Sequence, residues 1–139
     1  MAAINRLHAL DPPIETGDTR HDLITQLKDM NRTFERVHGL AMIGTLLAEH
    51  ERHPQMLASW SERLARPRRD QLTAILNRAR ERGDLPPSLD AVAAAWMLVG
   101  AYYARQTTGD SATSPDWAER VVDTLLSHGA AGQPAATDE

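Results

Sequence analysis

Arginine is the residue whose number and spacing first suggest chemistry in this sequence. Seven arginines fall within residues 62–85, with Pro67 among them. A helix that reads DNA concentrates its basic side chains on one exposed face. On a helical wheel six of these arginines spread over more than half of the circumference, with Glu62, Asp70 and Glu81 between them. We therefore interpret the stretch as a solvated helix face with local ion pairs.

Arg68 differs from the other six arginines because it falls at the centre of the apolar face of its predicted helix. A buried guanidinium needs a carboxylate or carbonyl partner. We expect Arg68 to be largely buried and paired with a carboxylate on a neighbouring helix. The first candidates are Asp22, Asp29 and Asp90. The alternative role for Arg68 is a polar anchor in a ligand pocket.

Two histidines have a spacing that metal sites use. His50 and His53 lie at i and i+3, a spacing that can present two ligands to zinc, and glutamates flank them. A third ligand at a set spacing is not evident, so surface histidines are the favoured interpretation and a metal site is the alternative. The chain has no cysteine, no nucleophile elbow and no glycine-rich phosphate loop. We therefore expect neither enzyme activity nor a cofactor.

Charge and hydropathy restrict the class of protein further. The net charge is −4, so no excess of basic charge favours nucleic acid. The longest apolar run is 91–104, whereas a membrane span needs roughly 20 residues, so this run predicts a buried helix. The N-terminus has no apolar segment typical of a signal peptide. These features predict a cytoplasmic protein that does not contact membranes.

Apolar residues recur at helical spacing along the chain, and no stretch alternates for long as a strand would. The sequence predicts an all-α fold, a bundle of five to six helices. The predicted helices cover residues 19–34, 36–52, 54–82, 90–107 and 114–128. Within them we expect a capping box formed by Thr19 and Asp22, a kink or break at Pro67, and N-caps at Asp90 and Ser114.

The order of several segments resembles a known regulatory domain. Those segments are IETGDTRHDLITQL, LLAEHERHPQMLASWSERLARPRRDQLTAILNRARERGDLPPSLD, LVGAYY and TTGD…DWAERVVDTLLSHG. Together they resemble the C-terminal domain of TetR-family transcriptional regulators over about residues 10–130. The resemblance implies an all-helical domain that binds a small effector in an internal pocket and dimerises through its last two helices. The segment AYYARQTTG is a residue shorter than the usual pattern.

The resemblance also divides the chain. Residues 1–10, which include AAINRLHAL, resemble the tail of the helix that links the family's two domains, and we expect no helix-turn-helix before them. Residues 11–129 form the predicted effector-binding and dimerisation domain, and residues 130–139 a disordered tail. We expect that this chain alone does not bind DNA, whereas a full-length parent would bind operator DNA.

Methionine and aromatic side chains are suited to the wall of a pocket for a small apolar effector. The predicted ligand-binding residues are Met30, Phe34, Ile43, Leu47, Met56, Trp60, Arg68 and Leu72. For any one of the methionine and aromatic side chains, ordinary core packing is the favoured alternative. Because residues 91–104 are apolar on every side, we also expect a homodimer that covers this helix and the last one. The predicted interface residues are Tyr103, Trp117, Val121 and Leu125. The alternative function is a helical interaction module that dimerises and binds no small molecule.

Overall fold

A computed structural model describes residues 13–130, and within them it contains α-helices and no strand. The predicted all-α fold is confirmed. The helices are α1 (Thr19–Arg36), α2 (Gly39–Ala48), α3 (Pro54–Trp60), α4 (Arg66–Glu81), α5 (Ala91–Thr107) and α6 (Trp117–Ala130). The predicted linker-helix tail, residues 1–10, lies outside the described residues. The predicted C-terminal tail also lies outside them, except that Ala130 is the last residue of α6.

Helix α1 forms the centre of the bundle. It contacts α2, α4, α5 and α6, while α5 packs along α4. Leu23, Leu27, Met30 and Phe34 recur three or four residues apart on α1, and all four are fully buried. Each such side chain stabilises the fold by about 1.5–3 kcal/mol through removal of apolar surface from water. The apolar stripe of this helix therefore makes the core that the other helices cover.

The first helix begins at a different cap from the one that the sequence predicted. The Asp18 carboxylate accepts a hydrogen bond from the His21 backbone N–H at 2.9 Å, so Asp18 is the N-cap. The predicted capping box of Thr19 and Asp22 is wrong. The Thr19 hydroxyl donates to Asp84, and the Asp22 carboxylate accepts from the Thr16 backbone N–H. Both side chains tie α1 to segments outside it.

Two further helix boundaries differ from the prediction. Helix α2 begins at Gly39 because His38 adopts a left-handed conformation, with φ of 50°, and separates it from α1. The last helix begins at Trp117 instead of Ser114. The Ser114 hydroxyl donates at 2.7 Å to the carbonyl of Asp110, the first residue of the preceding 3-10 turn (Asp110–Ala112), so it does not cap α6. The predicted N-cap at Asp90 is confirmed by its hydrogen bond from the Ala93 N–H.

The predicted disturbance of the helix at Pro67 takes the form of a π-helical segment just before it, and the chain stays helical through Pro67. Helices α3 and α4 are joined by a π-helical segment, Ser61–Ala65, and the Arg66 N–H donates to the Ser61 carbonyl five residues back. Pro67 has no N–H and cannot make the ordinary bond to the carbonyl of Arg63. The wider turn accommodates that loss. Within residues 13–130, no helix combines the length and the apolar character needed to cross a membrane.

Candidate functional site

The aromatic side chains of four helices meet around Phe34. The ring centroid of Phe34 lies 5.9 Å from that of Trp60, 5.2 Å from Tyr102 and 6.2 Å from Tyr103. Tyr102 in turn lies 6.4 Å from Trp117 on α6. Aromatic pairs at 4.5–7 Å add roughly 0.5–1.5 kcal/mol beyond their buried area. This cluster joins α1, α3, α5 and α6 at one end of the bundle.

An open groove of about 500 Å³ lies beside this cluster. It runs between the C-terminal end of α1, the start of α2 and the C-terminal end of α5. We call it the Phe34 groove, and its lining residues are Phe34, Glu35, His38, Gly39, Leu40, Ala41, Tyr102, Arg105, Gln106, Ser111 and Ala112. Leu40 and Ala41 supply exposed apolar surface, whereas the rings of Phe34 and Tyr102 are almost fully buried in the wall. Glu35, Arg105 and Gln106 supply polar groups. The groove therefore combines an apolar surface with a few polar groups, as small-molecule sites do.

Three contacts hold the Arg105 side chain in the wall of this groove: two hydrogen bonds and one cation–π contact. Its Nη2 donates to the Asn31 side-chain oxygen at 2.9 Å, and its Nη1 donates to the Ser111 carbonyl at 3.5 Å. The guanidinium carbon lies 4.6 Å from the ring centroid of Trp117, a cation–π contact. Arg105 also lines a neighbouring groove of about 580 Å³ between α5 and α6.

The two tyrosines of the cluster remain neutral over the physiological range. Burial raises the pKa of Tyr103 to about 12, and the neighbouring Tyr102 adds to this effect. Burial also raises the pKa of Tyr102, Glu35 raises it further, and Arg105 opposes the shift. Both hydroxyls therefore keep their protons and can donate hydrogen bonds.

The structure brings only part of the predicted pocket together. Phe34 lines the groove, Trp60 stacks on Phe34, and Met30 and Leu72 belong to the same buried core. Ile43 is partly buried, whereas Leu47 is 59% exposed and Met56 is also exposed. In this single chain, Leu47 and Met56 therefore lie on the surface of α2 and α3.

The site contains two residues that the predicted set lacked, Tyr102 and Arg105. Both lie near the end of the apolar run of α5, and Arg105 is the first charged residue after that run. A single cation directly after fourteen apolar residues is visible in the sequence and could have indicated Arg105 as a candidate site residue. The sequence does not show that Asn31 and Trp117 contact Arg105, because these residues belong to helices distant in sequence.

Burial of Arg68 is confirmed, since its exposed fraction is 8%. The three carboxylates proposed as its partner have other contacts. Asp22 accepts from Thr16, Asp29 pairs with Arg32, and Asp90 caps α5. The identity of the carboxylate partner stays a prediction.

The remaining arginines of residues 62–85 behave largely as a solvated helix face. Arg69 pairs with Asp70, Arg82 with Asp84, and Arg78 with Glu15. The guanidinium of Arg80 donates to the Leu89 carbonyl at 2.6 Å. The local pairs of Arg69 and Arg82 agree with the predicted charged helix exterior, whereas Arg78 and Arg80 are partly buried and bind groups outside α4.

Both histidines of the predicted metal alternative, His50 and His53, are exposed. Over residues 13–130 no group of three or more histidine, cysteine, aspartate or glutamate side chains is arranged to hold a metal ion.

One face of α5 is apolar and exposed in the single chain. Trp96 is 60% exposed and Met97 is 68% exposed, with Val92 one turn before them. We call these three residues the α5 apolar face. Among the predicted interface residues, Tyr103, Val121 and Leu125 are partly buried, and Trp117 is only 7% exposed because it packs beneath Arg105. Trp96 and Met97 were not among the predicted interface residues, because a run that is apolar on every side does not indicate its outer face.

Comparison with known proteins supplies one match. A family model described as "Tetracyclin repressor-like, C-terminal domain" matches residues 13–125, which is most of the chain. No curated protein and no solved structure matches.

Proposed function

Because the chain belongs to the family of tetracyclin repressor-like C-terminal domains, we propose that it is the effector-binding and dimerisation domain of a transcriptional regulator, with its effector site in the Phe34 groove. The family is regulatory, so we propose no catalytic role. The cytoplasm is the expected location. The net charge of −4 and the dispersed arginines support the expectation that this chain alone does not bind DNA.

The observation that carries this proposal is the Phe34 groove itself. Ligand sites in proteins are clefts of roughly 300–1,000 Å³ with mainly apolar walls and a few polar groups. The groove has a volume of about 500 Å³, and Leu40 and Ala41 contribute exposed apolar surface to its wall. A small molecule with an apolar body is therefore the proposed effector.

The proposed mechanism is a shift between two arrangements of the helices. Tyr102 and Arg105 of the groove lie on α5, and Trp96 and Met97 of the apolar face lie on the same helix. A ligand that binds one arrangement more tightly moves the equilibrium by no more than that difference in affinity. Such a shift of α5 would change how the two subunits of the proposed dimer are oriented relative to each other. In a full-length regulator it would change the separation of the two DNA-binding domains.

The proposed homodimer uses the outer faces of α5 and α6. Exposed apolar side chains such as Trp96 and Met97 mark an association surface when they adjoin one another. A two-fold axis brings the same face of two chains together, so one apolar face is sufficient. Tyr103, Val121 and Leu125 lie partly buried on the same two helices and extend this surface.

The experiment fills the groove and measures ligand-dependent stability. Ala41 lines the groove, whereas Ala48 is exposed on the same helix and outside it. Wild-type protein, Ala41→Trp and Ala48→Trp are screened by thermal denaturation against a library of apolar compounds. A bound ligand raises the melting temperature in proportion to the logarithm of its concentration above Kd. We expect such shifts in wild type and Ala48→Trp and their loss in Ala41→Trp.

Two results would contradict this proposal. Equal shifts in all three proteins mean that the effector binds outside the Phe34 groove. An absence of shifts in wild type, together with a stable dimer in sedimentation, favours the second candidate function. That candidate is a helical interaction module that dimerises without a small molecule, and the exposed α5 apolar face is the observation that favours it.

A further inference from the structure

The charge of Arg105 has no directly bonded counter-ion within residues 13–130. Its two hydrogen-bond partners, Asn31 and the Ser111 carbonyl, are neutral, and no described carboxylate lies within ion-pair distance of it. Each of its two Nη atoms has a second N–H beyond these bonds. The side chain is only partly buried and lines the groove, so its charge is open to a ligand there.

The surroundings of Arg105 hold its guanidinium in place at the groove. Trp117 packs against its face, and Asn31 accepts one of its N–H groups while donating to the Glu35 carboxylate at 3.0 Å. A planar guanidinium held in this way can form two parallel hydrogen bonds with a carboxylate. Because the position of the guanidinium is already defined, little side-chain entropy is lost when an anion binds.

We propose that the effector is an organic monoanion, with a carboxylate that binds Arg105 and an apolar body that lies along Leu40 and Ala41. This inference rests on the proposed function, because it names the class of molecule that the Phe34 groove binds. The groove supplies the two parts that such a molecule needs. Arg105 provides the positive charge, and Leu40 and Ala41 provide exposed apolar surface in the same groove.

Glu35 limits the charge of the ligand. Its carboxylate lines the same groove, is exposed, and bonds to the Asn31 amide instead of to Arg105. A second negative charge on the ligand would lie close to Glu35 and be repelled. The groove therefore favours a single carboxylate over a dianion or a polyphosphate.

The test compares carboxylates with their neutral amides. Benzoate, naphthoate and octanoate are each titrated by calorimetry alongside benzamide, naphthamide and octanamide. The proteins are the wild-type chain, Arg105→Gln and the control Arg120→Gln. Arg120 is exposed and lines the neighbouring groove but not the Phe34 groove. A charge-assisted bond to arginine predicts that at least one carboxylate binds wild type at least about tenfold more tightly than its amide.

The variants then identify the residue responsible. We expect Arg105→Gln to reduce the carboxylate preference to less than about threefold while amide binding is retained, and Arg120→Gln to leave the preference unchanged. Retained amide binding and an unchanged circular dichroism spectrum show that Arg105→Gln still folds. If Arg105→Gln does not fold, Arg105→Lys takes its place, because it keeps the charge and loses the planar fork, and a partial loss of preference is expected.

The failure of this inference is distinct from the failure of the proposed function. If wild type binds carboxylates and amides equally, the anion assignment is overturned while the effector site stands. If Arg120→Gln removes the preference and Arg105→Gln does not, the assignment of the anion to the Phe34 groove is overturned. Binding of no member of the panel also overturns the inference, and the groove-filling experiment with Ala41→Trp then decides the proposed function separately.

Discussion

Gly39 provides a sharp test of how α2 packs on the aromatic cluster. A methyl group added at Gly39 would lie 3.0 Å from the Cβ of Phe34 and 3.1 Å from its carbonyl oxygen. Ordinary contacts to carbon are about 3.5–4.0 Å. Neither the Cβ nor the carbonyl oxygen of Phe34 can rotate away, so the start of α2 must move. Gly39→Ala therefore loosens the wall of the Phe34 groove.

The magnitude follows from comparison with a second glycine of the same helix. Overpacking costs about 1–3 kcal/mol. At Gly44 no described atom lies within 4 Å of an added methyl group, and alanine is favoured over glycine in a helix by about 0.5–1 kcal/mol. We expect Gly39→Ala to lower the free energy of unfolding by about 1–2 kcal/mol and Gly44→Ala to raise it by about 0.5–1 kcal/mol.

The assay is urea-induced unfolding followed by circular dichroism, with thermal melting as a second measurement. A change of 1 kcal/mol corresponds to roughly 3–5 °C in Tm for a chain of this size. The slope of the unfolding transition with urea should be unchanged, since both variants expose the same surface when they unfold. If Gly39→Ala is as stable as Gly44→Ala, the start of α2 does not pack on Phe34 as closely as described above.

Three further predictions concern the dimer, Arg68 and pH. The double variant Trp96→Glu with Met97→Glu should sediment as a monomer, whereas the control Gln55→Glu on α3 should remain a dimer. A wild-type chain that is monomeric at micromolar concentration contradicts the dimer. Arg68→Ala should lower the free energy of unfolding by about 3–5 kcal/mol in urea titration, because it would leave the predicted carboxylate partner buried and unpaired. A loss under about 1 kcal/mol refutes a buried ion pair. The hydrogen bond from Lys28 lowers the pKa of Glu119 from its ordinary value of 4.5. This pair therefore stabilises the fold above pH 4.5 and ceases to do so as the pH falls below that value, so Lys28→Met should reduce the loss of stability with acid.

The apolar periodicity of the helices could be predicted without the tertiary structure. Leu23, Leu27, Met30 and Phe34 lie on one face of α1 because successive turns of a helix place residues three and four apart side by side. The burial of Arg68 and the N-cap at Asp90 follow from the same local geometry. Pro67 indicates a break because its missing N–H is a property of one residue.

The cap of α1 could not be predicted in the same way, although it is also local. Asp18 and Thr19 are both good capping residues, and the choice between them depends on distant groups. Thr19 is occupied by Asp84, which is sixty-five residues away in sequence. Its hydroxyl therefore serves a tertiary contact, and Asp18 serves as the cap.

The candidate site depended on tertiary structure almost entirely. Arg105 meets Asn31 across seventy-four residues of sequence, and it packs on Trp117 from another helix. The sequence determined that 91–104 would form an apolar helix, but an all-apolar helix has no preferred side. Only the packing of α1, α4 and α6 around it decided that Tyr102 faces the core and that Trp96 faces outward. Local periodicity depends on residues within one turn of each other, whereas a groove depends on how several helices pack together.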